Sequence, residues 1–192
     1  MLEKLRDIVR KRVTEKRYIH TLGVEEKAVE LAKKYGVDEE KVRIAAILHD
    51  IAKSMEIDKM EEICKANFLD ELTGEDMKIS EILHGFVGYI IVRDELKIDD
   101  IEILEAIKYH TIGKKGLSLL GRIIYIADGI EKNRVYPGVD KIRELVDKNL
   151  DEGIIYEIDR KIVYLESVGG KIHKNTLEMR NWLKDSLDGG KI

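Results

Sequence analysis

Apolar residues in this chain recur every three or four positions almost throughout, and nowhere do they alternate over the length of a strand. Such spacing gives a series of helices, each with one apolar stripe, and leaves no pattern for a sheet. Leu2, Leu5, Ile8, Val9 and Val13 trace a first helix. Val24, Ala28, Leu31, Ala32 and Tyr35 trace a second, which Gly36 closes. Val37-Asp38-Glu39-Glu40 reads as a cap followed by a helix that runs through Ala45–Lys53. A shorter helix is predicted from Asp58 to Ala66, then a loop at Gly74. Further helices are predicted near Gly85–Leu96, Ile101–Tyr109, Leu119–Ile130, Val139–Lys148, Asp151–Glu166 and Thr176–Leu187. Pro137-Gly138 reads as a turn, Gly169-Gly170 separates the last two helices, and the tail after Leu187 is expected to fray. There is no long-period repeat and no linker long enough to divide the 192 residues. The expectation is therefore all-α: one irregular helical bundle, a single domain over residues 1–192.

Composition narrows the class. Hydrophobic residues make up 44%, enough for a folded core. The net charge of −4 disfavours wholesale nucleic-acid binding, so the basic residues between Lys4 and Arg12 read as a solvated helix face. One cysteine, Cys64, excludes an internal disulfide and a multi-cysteine zinc site, and fits a reducing cytoplasm. The N-terminal residues lack the apolar centre of a signal peptide. No apolar run approaches the ~18 residues a membrane span needs. A cytoplasmic protein that touches neither membrane nor nucleic acid is expected.

Four histidines and two aspartates, six polar residues, interrupt the apolar pattern. The stretch AAILHDIAK, Ala45–Lys53, carries His49, Asp50 and Lys53 among small and aliphatic residues. His20, His84 and His110 each stand at the end of an apolar helical run, as does Asp128 after Ile123–Ala127. A buried charge is strongly unfavourable unless it is paired or bound to a metal. Any one of these residues is readily a satisfied core residue, but a metal accounts for all six together. Imidazole plus carboxylate without thiolate favours iron, manganese, zinc, cobalt or nickel. Neighbouring helical residues project about 100° apart, so His49 and Asp50 can straddle one ion or bridge two. Lys53 is a poor ligand beside a metal but a good anchor for phosphate oxygens. There is no HExxH motif, and Glu81-Ile82-Leu83-His84 has no second copy of the kind a ferritin-like di-iron bundle uses.

Read in order, these residues resemble the HD superfamily of metal-dependent phosphohydrolases, whose H…HD…D pattern is matched by His20, His49-Asp50 and Asp128. The resemblance extends to the YqeK-type symmetrical bis(5′-nucleosyl)-tetraphosphatases. It is carried by RYIHTLGV (Arg17–Val24), ILHDIAK (Ile47–Lys53), His84-Gly85 with Gly88, HTIG (His110–Gly113), IADGIE (Ile126–Glu131) with Arg134, and HKNTLE (His173–Glu178). It spans about residues 15–182, which would be the core of the domain. Gly129, where the family commonly has an aromatic, and the loop Lys114–Leu117 depart from it, which leaves loop-dependent substrate preference open.

The resemblance implies an all-helical fold and hydrolysis of diadenosine tetraphosphate, with ADP leaving, to give two ADP. It implies that His20, His49, Asp50 and Asp128 hold a metal, iron foremost. His84 and His110 would hold a second ion, or contact phosphate if there is only one. Asp50, Lys53, His84 and His110 are the implied catalytic residues. The implied substrate contacts are His20, Lys53, His84, His110, Thr111, Asp128 and Arg134, with Gly170, Lys171, Ile172, His173, Lys174 and Asn175 around the nucleotide. The partners are then a dinucleoside polyphosphate and ADP, and a homodimer stays open. Two rivals remain at this point. One is an HD phosphohydrolase acting on another nucleotide or an alarmone. The other is a non-catalytic, metal-stabilised nucleotide-binding module.

Overall fold

The computed structural model describes residues 1–189. Among them are ten α-helices and no strand: α1 (Leu2–Arg12), α2 (Glu15–Tyr35), α3 (Glu39–Leu48), α4 (Ile57–Asn67), α5 (Ser80–Ile90), α6 (Ile101–Tyr109), α7 (Leu119–Ile130), α8 (Val139–Lys148), α9 (Leu150–Ser167) and α10 (Lys174–Gly189). The all-α expectation holds. Side-chain caps set several starts. Thr14 accepts from the Arg17 amide at α2, Asp38 from Glu40 and Lys41 at α3, Asp100 from Glu102 and Ile103 at α6, and Asn149 from Asp151 and Glu152 at α9. Gly36 ends α2 in the left-handed conformation, φ 71°.

Helix α2 packs on α3 and α7, α6 lies between α5 and α7, and α8 pairs with α9, against which α10 rests. The centre is apolar and closed. Val24, Ala28 and Leu31 of α2, Ala45 to Leu48 of α3, and Ile123, Ile124, Ile126 and Ala127 of α7 have no exposed surface. The alanines let α2, α3 and α7 approach closely. Glycine does the same for α5, where a methyl on Gly85 would stand 2.7 Å from the Lys108 carbonyl oxygen of α6. The basic side of α1 is solvated as expected, with only Leu5 and Val9 buried.

Three details differ from the periodicity. The helix predicted to run through Lys53 closes at Leu48. There the His49 ring takes the Ala46 carbonyl at 2.7 Å, and the next bonds span three residues: Ile51 to Leu48, Lys53 to Asp50 and Met55 to Ala52. The segment predicted over Gly85–Leu96 starts earlier, at Ser80, and changes at Ile91–Glu95 to a wider turn, where the Leu96 amide reaches back to Ile91. His20 and His84 lie inside α2 and α5, not at helix ends, while His49 and His110 do terminate theirs. Where fraying was expected, α10 continues to Gly189; the rest of that tail lies outside the described residues.

Candidate active site

Five helices deliver the six polar residues to one buried point. His20 comes from α2, His49 and Asp50 from the end of α3, His84 from α5, His110 from the end of α6 and Asp128 from the last turn of α7. His20, His49, Asp50, His84 and His110 are all at most 8% exposed. Asp50 is the centre. Its Oδ2 lies 3.3 Å from His49 Nε2 and 3.9 Å from His20 Nε2. Its Oδ1 lies 3.0 Å from His84 Nε2 and 3.6 Å from His110 Nε2. Asp128 Oδ1 is 2.9 Å from His20 Nε2. Two donor sets follow, each with its ligand atoms within 4.8 Å of one another: His20, His49 and Asp128, and His49, Asp50 and His110.

The outer nitrogens fix the tautomers. Nδ1 of His49, His84 and His110 contacts the carbonyls of Ala46, Ser80 and Ile107 at 2.7, 2.9 and 2.7 Å. His20 Nδ1 contacts the Glu131 carboxylate at 3.2 Å. Carbonyls and carboxylates only accept, so each Nδ1 carries a proton, and in the neutral ring Nε2 is left with a lone pair. Those lone pairs all point inward. His84 Nε2 and His110 Nε2 are 2.9 Å apart, and buried His49 Nε2 has no hydrogen-bond partner among the described residues. Lone pairs facing carboxylate oxygens and one another at such distances repel unless positive charge sits among them. The residues fit a metal cation.

Electrostatics say the same. Burial alone would raise the Asp50 carboxyl, but the imidazoles of His49, His110 and His84 packed around it hold it well below the usual carboxylate range. Asp128 is likewise raised by burial and lowered further by His20 and His49. Burial nevertheless pushes His110 down to about 4, so it stays neutral at pH 7. Protonation of His110 therefore adds no positive charge to the cluster.

The other predicted residues line clefts beside the cluster. Lys53, His110, Thr111, Asp128 and Arg134 share a cavity of about 340 Å³. Thr111 Oγ1 is buried there with no hydrogen-bond partner among the described residues. Arg134 bonds Asp128 Oδ1 at 2.7 Å and its carbonyl at 2.8 Å. Gly170, Lys171, Ile172, His173 and Lys174 line an adjoining cleft of about 530 Å³ with Thr111. Asn175 is not on that wall; its amide donates to His173 Nδ1 at 3.1 Å.

Three contributions were missed. Glu131, 1% exposed, orients His20, and Arg17 donates to Asp50 Oδ2 at 2.9 Å. Both stand inside the quoted motifs, where their proximity to His20 and Asp128 was the available signal. Buried Tyr125 donates to Glu157 at 2.9 Å and accepts from Lys161 at 2.8 Å, forming a wall of the same cavity. Residues so far apart in the chain carry no local signal.

Comparison with known proteins agrees with this arrangement. The family model described as HD domain matches residues 17–133. The chain is 39% identical over 180 residues to the symmetrical bis(5′-nucleosyl)-tetraphosphatase of Bacillus subtilis (strain 168), covering 91% of this chain and 93% of that protein. It is 38% identical to the protein of that name from Staphylococcus aureus (strain NCTC 8325 / PS 47), covering 94% and 93%. Among solved structures, a predicted HD superfamily hydrolase from Clostridium acetobutylicum, described as involved in NAD metabolism, superposes with a TM-score of 0.92 at 41% identity. The match covers 97% of this chain and 98% of that one.

Proposed function

The chain belongs to the HD domain family, and we propose that it is a metal-dependent hydrolase that splits bis(5′-nucleosyl) tetraphosphates symmetrically, diadenosine tetraphosphate giving two ADP. The observation that carries the reading is the convergence of four imidazole lone pairs on one buried carboxylate, beside a cavity lined by cations. His20, His49, Asp50 and Asp128 would hold one divalent ion. Asp50 turns its other oxygen to His84 and His110, which would hold a second ion or, with one ion, contact the phosphates. The ligand chemistry suits iron, with manganese, cobalt, nickel or zinc as substitutes. When bound, such a metal activates water at neutral pH and withdraws charge from phosphoryl oxygens.

The chain's own groups do the rest. Glu131 and three backbone carbonyls keep every ligand imidazole in the tautomer that presents Nε2. Lys53 lies on the cavity wall and balances charge that develops on the phosphoryl oxygens. Thr111 Oγ1 donates to a phosphate, and Arg134 holds Asp128 while offering its guanidinium to another. The segment from Gly170 to Lys174 cradles one nucleoside, with Asn175 holding His173 in place. ADP is a tolerable leaving group, so little acid assistance is required.

The reading places one catalytic domain in the cytoplasm. No helix among the described residues is long and apolar enough to cross a membrane, and Cys64 is free and buried. The test is metal analysis and turnover of His49→Ala and Asp50→Ala. Both variants should lose metal and hydrolysis together and keep their helicity. Full hydrolysis by metal-free His49→Ala would refute the assignment.

A further inference from the structure

Symmetrical cleavage makes a geometric demand. The reacting bond lies at the middle of the tetraphosphate, so an equal nucleoside arm extends to each side. The cleft bordered by Gly170–Lys174 receives one arm. The cavity facing the metal cluster, about 340 Å³, shares Glu81, Thr111 and Lys161 with that cleft. On its other side it shares Tyr136, Glu157 and Lys161 with a third cavity of about 480 Å³, between the Pro137 turn and α9. The three thus follow one another through shared lining residues, with the His110 and Asp128 side in the middle and a roomy pocket at each end. Both end pockets fall in the size range of small-molecule sites.

We infer that the third cavity, lined by Tyr136, Pro137, Arg160 and Tyr164, is the binding site for the second nucleoside of the dinucleoside tetraphosphate. The inference rests on the hydrolase reading above and deepens it. The pocket has the chemistry of a stacking site. Tyr164 is 64% exposed on α9 and contributes an aromatic face. Tyr136 is fixed by its hydroxyl, which donates to the Gly129 carbonyl at 2.9 Å. Arg160 Nη2 donates to the Pro137 carbonyl at 2.6 Å, which holds its guanidinium plane on the same wall. Aromatic rings with an arginine bind nucleobases by stacking and tolerate any base. Lys161 stands where the three cavities meet, held by Tyr125 and Glu157 at 2.8 and 3.0 Å. A cation at that junction faces a polyphosphate wherever it enters the central cavity. Exposed apolar surface on this side also gains a purpose, since an unliganded stacking pocket leaves Tyr164 in water.

The test compares Tyr164→Ala and Tyr164→Phe with the metal-loaded wild type. Diadenosine tetraphosphate fills both arms. Adenosine 5′-tetraphosphate, measured as substrate or as competitive inhibitor, fills one. Tyr164→Ala should raise KM for the dinucleotide about tenfold, within the range of base–aromatic stacking, and leave kcat and the constant for adenosine tetraphosphate unchanged. Tyr164→Phe should behave as wild type. An unchanged KM for the dinucleotide, or an equal rise for both compounds, overturns the inference and leaves the hydrolase reading standing. A wild type that releases ADP from neither compound overturns both.

Discussion

Replacing Gly85 by alanine should break the contact that brings His84 to His110. The added methyl would stand 2.7 Å from the Lys108 carbonyl oxygen and 3.2 Å from that of Ile107. Carbon–oxygen contacts of this kind settle at about 3.3 Å or beyond, so α5 must retreat from α6 by roughly 0.6 Å. The obstacle is helix backbone and cannot rotate away. His84, the preceding residue, moves with α5. Its Nε2 is 2.9 Å from His110 Nε2 and 3.0 Å from Asp50 Oδ1. Metal–ligand distances tolerate about 0.2 Å, well under that displacement. Overpacking of this size costs ~1–3 kcal/mol, which for a chain of this length lowers Tm by ~2–12 °C. Circular dichroism should show retained helicity with a lower Tm, and elemental analysis should show less metal per chain. Hydrolysis should fall more than about tenfold, since each factor of ten needs only ~1.4 kcal/mol of lost transition-state stabilisation. Gly74→Ala is the control, because a methyl there meets nothing within 4 Å. A Gly85→Ala protein with wild-type Tm and full metal content would refute the argument that this glycine sets the geometry of the cluster.

Glu131→Gln removes the charge that orients His20 through Nδ1 and should weaken metal affinity about 10- to 100-fold in a metal titration, with little change in fold. An unchanged affinity would show that His20 is oriented by other contacts. Away from the site, burial raises the Glu71 carboxyl, but hydrogen bonds from Lys108 and Tyr109 hold it below its ordinary 4.5. A carboxylate with the lower value in the folded state contributes stability above 4.5, and that contribution disappears as pH falls through the folded value. Glu71→Gln should therefore lower Tm at pH 7 and flatten the decline of Tm below pH 4.5; parallel Tm profiles for variant and wild type would contradict it.

Most helices were legible because their apolar stripes face one core: α6, α7 and α8 fall on the residues their periodicity predicts. The six polar residues were legible for the same reason, since each stands where the pattern calls for an apolar side chain. The end of α3 was not. Its apolar pattern continues through Ala52, and only the bond from the His49 ring to Ala46 shows that the chain turns at Leu48 and aims both His49 and Asp50 inward. The approach of α5 to α6 depends on Lys108, remote in sequence from Gly85. Lys161 reads as one more charge on a helix until Tyr125 and Glu157 are seen around it. What the sequence withheld lies in contacts between distant residues. What it disclosed lies in residue types that would be costly to bury without a shared purpose.

The central claim is metal-dependent cleavage at the middle of the tetraphosphate. Diadenosine tetraphosphate should be incubated with the protein as purified, after chelation, and after iron is restored, and the nucleotides resolved by chromatography. The account predicts ADP as the sole product, lost with the metal and regained with it. AMP and ATP in equal amounts, or undiminished ADP release from the metal-free protein, would contradict it.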